Sequence, residues 1–215
     1  FQLPPYTVLG YRNATGDLIN QDNGIDYIRA DHYVAGVEYL PTANTKLTVE
    51  GFYKVYNDYP FLLRDSVSLA NLGGDFGVIG NEPAVPTSEG RSYGIEFLAQ
   101  QKLFKGFYGI LAYTYVISEF TDKNDDFRPS AWDNGNIVTL TAGKKFKGNW
   151  EIGARFRYLG GAPYTPFDEN LSGLRQNWDL RGIGILDLDR LNSERVGGVH
   201  QLDVRLDKRW FFKKW

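Results

Sequence analysis

The sequence contains no cysteine, only two histidines and no long apolar run. The lack of cysteine excludes disulfide scaffolds, thiolate metal sites and cysteine nucleophiles. The two histidines, His32 and His200, are too few for a multi-histidine zinc or iron site, and no cofactor is predicted. No stretch approaches the ~18 apolar residues of a transmembrane helix. The 24 basic and 26 acidic side chains nearly cancel, so no nucleic-acid partner is predicted.

Aromatic residues and glycine are instead abundant. The 215 residues include 14 Tyr, 14 Phe, 5 Trp and 24 Gly. This composition favours an all-β fold, because aromatic side chains fit a pleated surface. The mean hydropathy of -0.38 is compatible with a membrane barrel, whose strands alternate and average to a polar value. No stretch shows helical spacing with caps, so no helix is predicted.

The chain is organised as pairs of predicted strands. Each pair is closed by a short turn, and successive pairs are joined by long polar connectors with many turn formers. The predicted strands are 33–40, 45–56, 91–102, 107–118, 136–145, 150–159 and 199–210. The short turns are 41–44, 103–106 and 146–149, and the long connectors are 57–90, 119–135 and 160–198.

The strands alternate between apolar and polar residues. In 150–159, Trp150, Ile152 and Phe156 share one face, whereas Arg155 and Arg157 lie on the other. Such alternation fits two architectures. In a soluble sandwich the apolar face packs inside, whereas in an outer-membrane barrel it meets lipid and the polar face lines a wet interior.

Three features favour the membrane barrel. Ten residues at about 3.3 Å each, tilted by about 45°, span roughly 23 Å, close to the apolar band of such barrels. All short turns lie at one end of the hairpins and all long loops at the other, and aromatic residues gather near both strand ends. The polar face is therefore predicted to line the lumen, through Glu50, Glu96, Arg155, Arg157, Asp203 and Arg205. Because an open sheet edge cannot face lipid unpaired, seven strands predict a piece of a larger barrel.

Several segments resemble the C-terminal barrel of TonB-dependent outer-membrane receptors. The sequence as a whole is similar to the receptors of this family from Bacteroidetes. The recurring pattern is an S-x-G-I-E-F strand, a Y-T-Y strand and then a W-D-x-x-N segment. The segments that carry the resemblance are 31–39, 91–97, 107–115, 132–140 and 157–166.

This resemblance implies an antiparallel up-and-down barrel of 22 strands, of which about seven lie here, in the outer membrane of a Gram-negative bacterium. It implies import of a scarce large solute (a siderophore, cobalamin, oligosaccharide or peptide) with energy supplied by TonB. Residues 1–215 are then expected to be a partial barrel that lacks its plug domain and last strands. The implied partners are outer-membrane lipid, the plug domain and the TonB complex, and a surface lipoprotein is a candidate partner.

No enzyme is predicted, since no catalytic constellation stands out. The loop aromatics Trp132, Tyr164, Phe167 and Trp178 are candidate solute contacts, because aromatic rings form platforms for sugars and flat ligands. Packing among the loops explains such residues equally well.

Other loop motifs are weak. Asp122, Asn124, Asp126 and Asp133 follow part of a calcium-loop spacing, but Phe127 replaces the glycine, so a solvated acidic loop is predicted. The segment 187–189 is interpreted as a turn. The glycine-rich segment 73–77 lacks the features of a phosphate loop.

Two alternatives to an importer remain open at this point. One is a non-transporting outer-membrane barrel, such as an adhesin or another surface-binding protein. The other is a soluble carbohydrate-binding β-sandwich, which would bury the apolar rows 150–158 and 202–206 in a dry interior.

Overall fold

The computed structural model describes residues 1–73 and 80–212. Long strands dominate this part of the chain, and short helices lie in the segments between them. The strands are β1 (Arg29–Thr42), β2 (Thr45–Leu62), β3 (Val67–Ser68), β4 (Ala84–Phe104), β5 (Phe107–Thr121), β6 (Phe127–Pro129), β7 (Gly135–Phe146), β8 (Trp150–Leu159), β9 (Pro163–Tyr164), β10 (Glu194–Arg195) and β11 (Val199–Lys208). The helices are α1 (Tyr6–Leu9), α2 (Ile19–Asp22), α3 (Leu69–Leu72), α4 (Glu169–Ser172), α5 (Arg175–Arg181) and the 3₁₀ turn Leu188–Arg190.

The seven long strands form one antiparallel sheet in the order β1-β2-β4-β5-β7-β8-β11. This confirms the predicted up-and-down arrangement. β8 has the bounds predicted from the sequence, whereas β2 and β4 extend well into the predicted connector 57–90. They do so because they keep pairing with each other, and β3 pairs with the end of β2.

The short turns have the backbone that tight hairpins need. Lys105 and Gly106 both have positive φ, at 48° and 82°, which is the pattern of a two-residue type I′ turn. A Cβ on Gly106 would lie 2.5 Å from the carbonyl oxygen of Lys145, so only glycine fits against β7 here. The next hairpin turns through Gly148 and Asn149, with φ of 72° and 63°.

The two edges of the sheet are open. Among the described residues, β1 pairs only with β2, and β11 pairs only with β8. Each edge strand therefore presents a row of unpaired backbone N–H and C=O groups, which a bilayer interior does not tolerate.

The apolar face of the sheet is not packed into a dry interior. Leu202, Val204 and Leu206 are about two-thirds exposed, and Ile152 is 41% exposed. A soluble domain rarely exposes so large an apolar surface. The alternative of a soluble sandwich, which needs these rows buried, does not agree with this structure. The alternation is imperfect in β5, where Ile110 and Val116 share the polar face with Glu96.

Aromatic side chains are exposed at both ends of the strands, as expected for rings at two lipid–water interfaces. At the short-turn end these are Tyr39, Phe104, Phe107, Phe146, Trp150, Trp210, Phe211 and Phe212, and toward the long-loop end they include Tyr33, Tyr53 and Tyr115.

The hydrophobic core of the described residues lies in the long loops rather than in the sheet. It is a cluster of buried side chains from the first segment of the chain and from two later loops: Val8, Ile25, Leu62, Val67, Leu69, Ala84 and Leu191. The prediction of no helix is wrong in these loops, because this packing stabilises single helical turns that have little intrinsic stability. In residues 1–73 and 80–212, no helix is long and apolar enough to cross a membrane.

Three buried asparagines fasten the loops to one another. The Asn20 amide donates to the carbonyl oxygens of Val8 and Glu82, at 2.8 and 3.0 Å. Asn71 donates to the carbonyl oxygen of Pro129 at 2.9 Å. Asn192 reaches the same carbonyl at 2.7 Å and that of Asn71 at 2.8 Å. We call Asn20, Asn71 and Asn192 the amide clamps.

Candidate functional site

The six residues predicted to line a lumen share one face of the sheet. Glu50 lies directly opposite Glu96 in the β2–β4 register. Arg155 lies opposite Asp203 in the β8–β11 register. Arg157 and Arg205 are each two residues away from this pair along their strands, so their side chains lie on the same face. All six side chains point away from the exposed apolar face.

The neighbours of these residues differ along the face. The Arg157 guanidinium donates to the Gln201 side chain at 2.7 Å. Glu50 and Glu96, in contrast, form a like-charge cross-strand pair, an arrangement that is unfavourable by itself. The polar face therefore carries a like-charge acidic pair on β2 and β4 and a mixture of basic and acidic side chains on β8 and β11.

At the long-loop end of this face is a cavity of about 350 Å³, which we call the mouth pocket. This volume is in the range of small-molecule sites. Strands β2, β4 and β5 supply most of the lining, and the loop after β6 and the first residues of the chain complete it. The lining residues are Gln2, Tyr56, Tyr59, Ser92, Val116, Ser118, Phe120 and Trp132.

A β-bulge in β2 brings two tyrosines of the pocket onto one face. Tyr56 pairs with Gly90, and Tyr59 pairs with Ser88. Two residues of β2 therefore lie opposite one residue of β4, and one of them, Asp58, has a φ of 58°. The extra residue puts Tyr59 on the same face as Tyr56 despite their odd spacing, which is how a bulge redirects a side chain.

Phe120 forms the floor of the pocket. Its ring stacks on Tyr56 with centroids 5.5 Å apart and contacts Tyr59 at 4.7 Å. The ring lies directly over Gly90, where a Cβ would overlap it. Phe120 is only 3% exposed, whereas Trp132 at the rim is 54% exposed. The pocket thus has a fixed aromatic floor and an accessible aromatic edge.

The structure brings one of the four predicted loop aromatics into this pocket. Trp132 lines it. Tyr164 lies in β9, Phe167 covers Gly184, and the Trp178 indole N–H donates to the Ser172 carbonyl oxygen. As solute contacts, Tyr164, Phe167 and Trp178 stay predictions.

Sequence reasoning missed the other three aromatic residues of the pocket, Tyr56, Tyr59 and Phe120. The register places Tyr56 on the polar face. Strict counting by two from Lys54 would have placed Tyr56 correctly. It would have placed Tyr59 on the wrong face, because the bulge gives no clear sequence signal.

Two of the acidic loop residues, Asp122 and Asp133, are buried and paired, whereas Asp125 and Asp126 are exposed, as expected for a solvated loop. Asp122 accepts from the Arg128 guanidinium at 2.8 Å and from the backbone N–H of Asn124 at 2.8 Å. Burial alone would raise the pKa of the Asp122 carboxyl, but the Arg128 and backbone hydrogen bonds outweigh it and hold that pKa below its usual value. Asp133 is paired with Arg195.

The partial calcium pattern is thus already occupied by guanidinium groups at its first and last positions. Within residues 1–73 and 80–212, no three acidic or histidine side chains are grouped as a metal site would require. Asp187 accepts from the backbone N–H of Asp189 at 3.2 Å, which is the turn role expected for 187–189. Of the glycine-rich segment 73–77, residues 74–77 lie outside the described residues.

Comparison with known proteins decides the family. A family described as "TonB dependent receptor-like, beta-barrel" matches residues 1–214. The chain belongs to this family. Its homologues are outer-membrane receptors of Gram-negative bacteria, which confirms the predicted location. Members of the family are transporters rather than enzymes, in agreement with the lack of a catalytic constellation in the sequence.

Solved structures of TonB-dependent receptors share the fold. The FrpB iron transporter from Neisseria meningitidis (F3-3 variant) matches with 19% identity and a TM-score of 0.56, over 86% of this chain and 25% of that one. The ferripyoverdine receptor of the outer membrane of Pseudomonas aeruginosa matches with 14% identity and a TM-score of 0.58, over 91% and 22%. The copper transporter OprC matches with 13% identity and a TM-score of 0.56, over 97% and 27%.

The chain thus spans about a quarter of the length of these receptors. At these identities the similarity establishes the fold and not the solute. A comparison with curated protein sequences finds no significant match.

Proposed function

We propose that the chain forms seven adjacent strands in the wall of a larger outer-membrane receptor that imports a scarce solute. The observation that carries the proposal is the two-faced open sheet. One face exposes a continuous apolar surface suited to lipid, and the other carries the ionic row of Glu50, Glu96, Arg155, Asp203 and Arg205. The two open edges need further strands, which the larger barrel supplies.

In this function the ionic row borders the lumen and contacts the plug domain of the same protein. The mouth pocket, at the extracellular end, receives the solute first. Movement of the plug, driven through the TonB complex, then opens the way past the polar face. Family membership supports this division of roles.

The orientation of the wall can be tested by cysteine labelling, because this segment has no native cysteine. The variants Leu111→Cys and Ala112→Cys are neighbours in β5 that point to opposite faces. In the full-length receptor on a cysteine-free background, a small water-soluble maleimide should label only Ala112→Cys. A lipophilic maleimide should label Leu111→Cys. Labelling of Leu111→Cys by the water-soluble reagent would overturn the orientation.

The import function needs a separate experiment in cells. The probes are ferrichrome, cobalamin, a set of neutral hexasaccharides and a tripeptide mixture, each supplied as the limiting nutrient. We expect growth on at least one probe to require both the receptor and TonB. Growth that never depends on both would remove the importer proposal and favour a non-transporting surface barrel.

A further inference from the structure

The mouth pocket combines aromatic faces with uncharged hydrogen-bonding groups. Tyr56, Tyr59, Phe120 and Trp132 supply the rings, and Ser92, Ser118 and Gln2 supply hydroxyl and amide groups. In the described part of the chain, none of its lining residues carries a charge at neutral pH.

The charged groups around the pocket are not directed into it. The Asp133 carboxylate, which accepts from the Ser118 backbone N–H at 3.3 Å, is paired with Arg195. Lys54 lies opposite Ser92 in the register, but its ammonium group sits over the ring of Phe52, 5.3 Å from the centroid. The His32 ring packs edge-on against Tyr56, with the ring centroids 6.4 Å apart. His32 is in β1 and Phe120 is in β5, so the two lie on opposite sides of Tyr56 in the strand order. A charged metal chelate would therefore find no counter-charge in the lining.

The pocket offers polar groups that can bind hydroxyls. Ser118 is only 8% exposed and its hydroxyl accepts from Ser130 at 2.8 Å, so the more accessible Ser92 and Gln2 side chains are the groups that a ligand can reach. Tyrosine and serine hydroxyls both donate and accept, as the hydroxyls of a sugar do. Phe120 is almost fully covered, so the apolar surface offered to the C–H face of a ring comes from the half-buried Tyr56 ring that Phe120 supports and from the half-exposed Trp132 ring.

We propose that the mouth pocket binds a neutral sugar ring, and that the receptor therefore takes a neutral glycan as its solute. This inference rests on the proposed import function and names its substrate class. A planar aromatic group would use the floor but would leave the surrounding hydroxyl and amide groups without partners, which weakens its binding.

Binding can be measured on the full-length receptor in detergent by isothermal titration. The probes are the hexasaccharides of maltose, cellulose, chitin and xylan type, with ferrichrome and benzyl alcohol as non-sugar probes. We expect one of the glycans to bind. Trp132→Ala should weaken that binding by about tenfold, because the ligand loses the accessible aromatic ring at the rim. Trp132→Phe should recover part of the affinity.

Phe127→Ala is the matched control. Phe127 is an exposed aromatic only seven residues from Phe120, but its ring packs on Arg91 on the opposite face. Its loss should leave glycan affinity unchanged within about twofold. Because Trp132 is half-exposed, its replacement is not expected to unfold the loop, and a circular dichroism spectrum like that of the parent receptor checks this.

The outcomes separate the sugar proposal from the import proposal. If no glycan binds, or if Trp132→Ala binds glycan as tightly as the parent receptor, the sugar proposal is overturned. Preferential binding of benzyl alcohol or ferrichrome at the pocket overturns it as well. TonB-dependent growth on a non-glycan probe would then leave import standing. Glycan binding at Trp132 without TonB-dependent growth would instead retain the pocket and remove import.

Discussion

Single residues decide where the loops can cross. A Cβ on Gly161 would overlap the carbonyl oxygen of Val196, a backbone atom that cannot turn aside. Gly197 lies in the same loop, and a Cβ there would meet nothing within 4 Å. The two glycines therefore differ in their tolerance of alanine, although each belongs to a Gly-Gly pair and the sequence alone does not distinguish them.

We expect Gly161→Ala to cost about 1–3 kcal/mol locally, as overpacking does, and Gly197→Ala to stay within about 0.5 kcal/mol. The measurement is hydrogen exchange at the Val196 amide, which donates to the Ala162 carbonyl at 3.0 Å. Exchange should be roughly tenfold faster or more in the first variant. Equal rates in both variants would contradict the crossing geometry.

The paired carboxylate Asp122 makes a prediction about pH. Its lowered pKa means that its contribution to stability is complete above the unfolded value of about 3.9 and is lost as the pH falls through the folded value. Asp122→Asn should therefore destabilise the 122–134 loop at pH 7 and do so less at pH 3, which lies below the unfolded value. The check is hydrogen exchange of this loop at both pH values. A pH-independent difference would argue against the Arg128 pairing.

At the scale of elements, the amide clamps replace backbone pairing between the loops. Asn192 is 5% exposed, and its side-chain amide donates hydrogen bonds to two carbonyl oxygens on two other loops. Removal of its amide takes this donor from the Asn71 carbonyl, whereas the Pro129 carbonyl keeps the Asn71 amide as a donor. A buried group left unsatisfied in this way costs about 1–3 kcal/mol.

Asn192→Ala should therefore loosen the 160–198 loop. In limited proteolysis of the full-length receptor in detergent, we expect faster cleavage in this loop by at least about tenfold. Asn170→Ala is the control, since Asn170 is exposed in α4 and loop proteolysis should not respond to it. Equal cleavage of the two variants would show that the clamp does not hold the loop.

The elements differ in how far the sequence predicts them. β8 was predicted with its observed bounds because Trp150 to Tyr158 alternate without interruption. The short helices were missed, although α4 begins at an Asp168 N-cap and α5 ends at Gly182 with a φ of 68°. Capping residues mark helix ends only where a helical stripe joins them, and helices of four to seven residues are too short to show one.

The mouth pocket was only partly predictable for a similar reason. Trp132 was chosen as an exposed loop aromatic, and it lies at the rim. Phe120 and Tyr59 gave no such signal. Their meeting depends on a bulge at Asp58 and on the bare backbone of Gly90, which are properties of the paired strands.

At the scale of the whole molecule, the sheet separates two solvents. Val49 faces the apolar side between Val37 and Phe97, whereas Thr48 faces the polar side between Glu38 and Leu98. The same charged side chain placed at these adjacent positions should meet lipid in one case and water in the other.

We expect Val49→Arg to cost about 2–4 kcal/mol, the penalty for arginine near the bilayer midplane. Thr48→Arg should be nearly neutral, because it reaches the wet interior beside Glu38. The measurement is the urea dependence of folding of the full-length receptor into lipid vesicles. A larger penalty for Thr48→Arg than for Val49→Arg would reverse the assignment of the two faces.

The amide clamps also bear on how such a mouth could be redesigned. Each clamp joins segments that are far apart along the chain, so the rim is one interlocked assembly rather than a row of separate hairpin tips. Transplanting one hairpin tip from another receptor would leave carbonyl groups on the neighbouring tips without hydrogen-bond donors. New selectivity would therefore be engineered by exchanging the interlocked tips as a set, while the wall beneath them is left as it is.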